Sequence, residues 1–69
     1  MTQLIYNRIQ VTQRQYQVIQ LAGKGLTHNQ IAIVLKIKPK TVAAHFRDIG
    51  VLKKEIPYLL SLDIFDVSH

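Results

Sequence analysis

Thr27-His28-Asn29-Gln30-Ile31-Ala32-Ile33-Val34-Leu35 runs into Lys36-Ile37-Lys38 and then Pro39-Lys40-Thr41-Val42-Ala43-Ala44-His45-Phe46-Arg47-Asp48-Ile49. This stretch reads as two helices joined by a tight turn. Thr27 is placed to cap the first, with Gln30 three residues on to complete a capping box. Ile31, Ala32 and Leu35 then line one face. Lys36 and Ile37 fall in the turn. Pro39 suits the first position of the next helix, where a missing N–H costs nothing. Val42, Phe46 and Ile49 recur at four and three residues and predict its buried stripe. The opposite face carries Lys40, Ala43, Ala44, Arg47 and, at its edge, Asp48.

Toward the N-terminus the same grammar repeats. Thr12 and Gln15 form a second capping-box signature, and Val11 and Tyr16 are spaced for a hydrophobic staple. Val18, Ile19 and Ala22 follow at helical spacing, and Gly23-Lys24-Gly25 closes that helix. Leu4, Ile5, Tyr6 and Ile9 in the first ten residues fit an extended arm or a short helix. Beyond Ile49, Gly50 ends the helix, or the helix runs through Val51-Leu52 to about Lys54. Pro57 opens a last short helix with Tyr58, Leu59, Leu60 and Leu62, trailed by Ile64, Phe65 and Val67. The expected fold is all-α, a small bundle with a helix-turn-helix. One domain spans residues 1–69, with its core at 11–49, an arm at 1–10 and a C-terminal helical segment at 50–69.

The chain has 69 residues and no cysteine, so neither a disulfide nor a thiolate site is available. His28, His45 and His69 are scattered and lack acidic neighbours at ligand spacing, which argues against a metal. A core this small is thin, and helix packing must supply the stability. The net charge is +5. Residues 1–49 hold Arg8, Arg14, Lys24, Lys36, Lys38, Lys40 and Arg47 against Asp48 alone, a balance of +6. Residues 50–69 hold Lys53 and Lys54 against Glu55, Asp63 and Asp66, a balance of −1. A polyanion such as nucleic acid suits that asymmetry, and so does an ordinary solvated basic face. No signal peptide or membrane-length apolar run is visible, so a cytoplasmic protein is expected.

The asymmetry of the second helix carries the functional expectation. Small side chains at Ala43 and Ala44 let a helix approach the floor of the major groove. Their methyls can touch thymine methyls, and Arg47 can pair with guanine O6 and N7. Lys38, Lys40 and Thr41 sit in the first turn, where positive charge and backbone N–H groups can meet a phosphate. The plainer alternative is a solvent-exposed helix with a basic end.

Val11 to Ile49 also resembles the LuxR/GerE-type helix-turn-helix domain, without a gap. The matching pieces are Val11-Thr12-Gln13-Arg14-Gln15, Val18-Ile19-Gln20-Leu21, Gly25-Leu26-Thr27 and Gln30-Ile31-Ala32. They continue with Leu35-Lys36-Ile37-Lys38 and Thr41-Val42-Ala43-Ala44-His45. The resemblance implies a four-helix DNA-binding domain whose third helix enters the major groove, with Ala43, Ala44 and Arg47 facing the bases. It implies a phosphate contact at Thr41, a helix start near the backbone at Thr27, and a structural His45. This chain departs from the family pattern in four places. Ala43 stands where the family usually has Lys, Lys38 where it has a Ser or Thr cap, and Gln15 and Gln30 where it has Glu. The match also fades after Ile49, where the family's fourth helix often forms a dimer interface.

The leading expectation is therefore a transcription regulator that binds double-stranded DNA through Thr27, Lys38, Lys40, Thr41, Ala43, Ala44 and Arg47. A single small module rarely supplies specific affinity alone. Pairing with a second copy through residues of about 51–65 is expected, although the same apolar residues could simply cover one chain's core. The alternative is a protein-interaction module of the same fold that modulates RNA polymerase or another regulator. An enzyme is not expected, since four carboxylates and no cysteine offer no paired acid–base set. No cofactor, catalytic residue, small molecule or membrane partner is expected. The setting would be bacterial or phage-type, at the nucleoid.

Overall fold

The computed structural model describes residues 8–68. Leu4, Ile5, Tyr6 and most of the expected N-terminal arm lie outside them, as does His69. In chain order the elements are β1 (Ile9–Val11), α1 (Gln13–Gly23), α2 (His28–Leu35), α3 (Pro39–Ile49), a 3-10 turn (Lys53–Glu55), α4 (Ile56–Ser61) and β2 (Phe65–Val67).

Both expected capping boxes form. The Thr12 hydroxyl accepts from Gln15 N–H at 3.1 Å, and Gln15 Oε1 accepts from Thr12 N–H at 3.0 Å. The same pair of bonds joins Thr27 and Gln30, at 3.2 and 2.9 Å. α1 runs to Gly23, and Gly25, at φ 91°, turns the chain into α2. Gly23 faces α4 closely: a Cβ there would displace the Leu60 Cδ1 methyl. α3 begins at Pro39, and Gly50 ends it at φ 82°, its N–H donating to Phe46 carbonyl. Of the two C-terminal boundaries open from sequence, the earlier is the one observed.

The core is one cluster. Val18, Ile19 and Ala22 from α1 meet Ile31 and Ala32 from α2, Val42 and Phe46 from α3, and Ile56 from α4. Val11 and Phe65 close it from the sheet. Tyr16 meets Phe65 edge-on, with ring centroids 6.4 Å apart.

The all-α expectation needs a correction. β1 and β2 form a two-stranded parallel sheet, with Ile9 beside Phe65, Gln10 beside Asp66 and Val11 beside Val67. Ile64, Phe65 and Val67 therefore do not extend a C-terminal helix. α4 stops at Ser61, and Asp63, at φ 52°, turns the chain back. Asp tolerates that left-handed conformation better than most residues. The strands alternate inward and outward as a half-covered sheet requires. Gln10 Nε2 donates to Asp66 Oδ2 at 2.9 Å on the wet side.

This pairing also changes the expected dimer face. Ile56 and Phe65 are buried, and Leu59 and Leu60 pack against the core. Much of the apolar stretch at 51–65 thus serves its own chain. Tyr58 and Leu62 remain outward, at 66% and 42% exposure.

Candidate nucleic-acid interface

α3 is held by one face and free on the other. Val42 and Phe46 are buried, and Ile49 packs on the core beside them. Lys40, Ala43, Ala44 and Arg47 follow at three, four and seven residues, so they form one opposite stripe. Lys40, Ala43 and Arg47 are exposed, and Ala44 is half-buried. Thr41 and Asp48 sit at the flank of that stripe, both exposed. His45 is half-buried on that same flank, nearer the core. The stripe combines two cations with two methyl-sized side chains, a surface that can lie close against a negatively charged groove.

The start of α3 differs from the starts of α1 and α2. Lys38 occupies the cap position in extended conformation and makes no side-chain cap hydrogen bond. Pro39 has no N–H to satisfy. Thr41 N–H turns back to Lys38 carbonyl at 2.9 Å, and Val42 N–H reaches the same oxygen at 3.2 Å. No side chain caps this end, and of its first-turn donors the Lys40 N–H remains, with Lys38 and Lys40 adding positive charge that favours an anionic oxygen. At α2, Thr27 is exposed and its hydroxyl accepts from Gln30, which leaves its own O–H free to donate outward.

The seven expected contact residues thus divide into three places. Lys40, Ala43, Ala44 and Arg47 share a face, Lys38 and Thr41 lie at the start of the same helix, and Thr27 begins α2. Two further features leave no mark in the local sequence. Lys36 occupies the turn between α2 and α3 at φ 58°, ψ 44°, a left-handed position that nothing in a lysine signals. His28, the first residue of α2, stacks on Phe46, with ring centroids 5.2 Å apart and planes 21° from parallel. Two aromatic rings eighteen positions apart give no local sequence signal.

Among the described residues no group of three or more His, Cys, Asp or Glu is placed to hold a metal ion. No described helix is long and apolar enough to cross a membrane.

The model of the luxR family of bacterial regulatory proteins matches residues 10–54. That span takes in α1, the turn, α2 and all of α3, and the chain belongs to this family. α1, α2 and α3 are accordingly its helix-turn-helix DNA-binding region, and α4 lies beyond the matched span. No curated protein and no solved structure matches the chain.

Proposed function

We propose that the protein is a sequence-specific transcription regulator that reads the DNA major groove with α3. The observation that carries this reading is the exposed stripe of Lys40, Ala43, Ala44 and Arg47, within a chain segment matched by the luxR family model. Arg47 reads a base edge, and Ala43 and Ala44 bring the helix close. Lys38, Lys40, Thr41 and Thr27 hold the phosphate backbone and carry no sequence information. Two copies pair through α4, with Tyr58 and Leu62 at the contact, and address half-sites about one helical turn apart. The protein acts in the cytoplasm, on nucleoid or phage DNA, with no catalytic role and no cofactor.

The test selects bound fragments from random DNA with the purified chain and then measures variants on the selected site. Arg47→Ala should lose about 5- to 100-fold in affinity and relax preference at one base position. Lys40→Ala should weaken binding to all sequences alike and lower the salt slope by about one. Unaltered preference in Arg47→Ala would remove the assigned role.

A second reading has its own support. Ile33 and Val34 on α2 are 75% and 55% exposed. Val34 borders a shallow groove of about 260 Å³ with Gln17, Gln20, Leu21, Lys24 and Leu35. This apolar edge favours a protein contact, with RNA polymerase or another regulator as partner. Nuclease-resistant co-purification that survives Arg47→Ala and is lost in Val34→Glu, with no selected DNA site, would favour it.

A further inference from the structure

His28 is half-buried at the first position of α2, directly after the exposed Thr27 cap. Its ring lies nearly flat on Phe46, whose own exposure is 7%. Phe46 is the middle of the three residues that seat α3, between Val42 and Ile49, and it immediately precedes Arg47. No buried side-chain nitrogen or oxygen among the described residues lacks a partner, so the imidazole is not an orphaned polar group awaiting a ligand. The aliphatic contacts of Val42 and Ile49 seat the helix by close packing, and the aromatic pair adds a directional contact to them. Two stacked planes have a preferred mutual orientation. A stack at the centre of α3 therefore resists rotation of that helix about its own axis. Rotation is the motion that would swing Arg47 off the base edge.

We propose that His28 is a positioning residue for DNA readout, holding α3 through Phe46 at the rotation that presents Arg47 to the groove. This rests on the function proposed above. The imidazole acts through its flat face and not through its charge, so a planar apolar ring in its place should serve and a cationic chain should not.

The experiment compares the full chain with His28→Ala, His28→Phe and His28→Lys. Each is titrated with the selected DNA site and with random-sequence DNA at two salt concentrations, and folding is followed by thermal denaturation. His28→Ala should lower affinity for the selected site about three- to tenfold. Its random-sequence affinity should fall by distinctly less, because the flexible lysine side chains can follow the phosphates, and its salt slope should stay unchanged. His28→Phe should restore the specific affinity, and His28→Lys should not. Three results would overturn the proposal. One is an unchanged ratio of specific to random binding in His28→Ala. Another is equal loss on both DNAs, which marks a phosphate contact or a general loss of fold. The third is rescue by His28→Lys and not by His28→Phe. Absence of any selected site for the unaltered chain would instead remove the function reading, and this inference with it.

Discussion

Lys36 holds the turn of the helix-turn-helix in a conformation its side chain disfavours. It lies at φ 58°, ψ 44°, and its N–H closes the end of α2 by reaching Ala32 and Ile33 carbonyls. The left-handed region costs a residue with a Cβ about 1–2 kcal/mol, and glycine almost nothing. Glycine gives back part of that difference through its freer unfolded chain. Lys36→Gly should therefore raise unfolding stability by about 0.5–1 kcal/mol, read as a higher urea midpoint at unchanged slope. A lower midpoint would mean that the lysine stem contributes packing in this turn. Ala43 shows the opposite economy at the residue scale. Its methyl is exposed where the family usually places a lysine, so under the proposed function specificity rests more on Arg47 and on the shape of the DNA.

Among the elements, α3 is the one whose stability and proposed task pull apart. α1 and α2 are each closed by a Thr–Gln box, whereas α3 starts from an uncapped Lys38. A serine at that position would accept from the first-turn N–H groups. Lys38→Ser should stabilise the free protein by about 1 kcal/mol and weaken DNA binding on every sequence, since a cation and an open helix end are both lost. Thermal melts with and without DNA check both halves. A variant that melts higher and binds unchanged would show that this end does not meet phosphate. The bounds of α1, α2 and α3 were legible because their signals are local: Thr12 with Gln15, Thr27 with Gln30, Pro39, and Gly50. The stripe of Lys40, Ala43, Ala44 and Arg47 was legible for the same reason, being a matter of helical period. β2 was not. Phe65-Asp66-Val67 is too short to show a period, and its partner strand lies at the far end of the chain. Leu59 through Phe65 read as a run of helix only because nothing nearby announced a strand. The His28–Phe46 stack stayed hidden for a like reason, since it exists only once α2 and α3 have packed.

At the scale of the whole molecule, the basic balance of the first 49 residues and the acidic balance of the rest fall on different elements. α3 and its turn carry Lys36, Lys38, Lys40 and Arg47. The segment after Gly50 carries Glu55, Asp63 and Asp66, and its outward apolar residues are Leu52, Tyr58 and Leu62. Tyr58 on α4 and Leu62 at its C-cap stand four apart, and both are exposed. If these two residues join two copies, Tyr58→Glu should convert a dimer to a monomer in sedimentation, because two like charges would then meet across the two-fold axis. Affinity for a two-fold DNA site should fall with it, while a single half-site is bound as before. Identical sedimentation of the variant and the unaltered protein would place the contact elsewhere or remove it.

The parallel pairing of β1 with β2 also fixes how this domain can be joined to anything else. Ile9 sits beside Phe65 and Val11 beside Val67, so the chain enters the sheet at one end and leaves it at the other. Three residues of strand advance about 10 Å. A reporter fused ahead of β1 and one fused after β2 would therefore emerge at opposite ends of the sheet. A circular permutant could not simply splice the two. Its linker would have to run back along the strand, which takes at least about three fully extended residues before any turn is made.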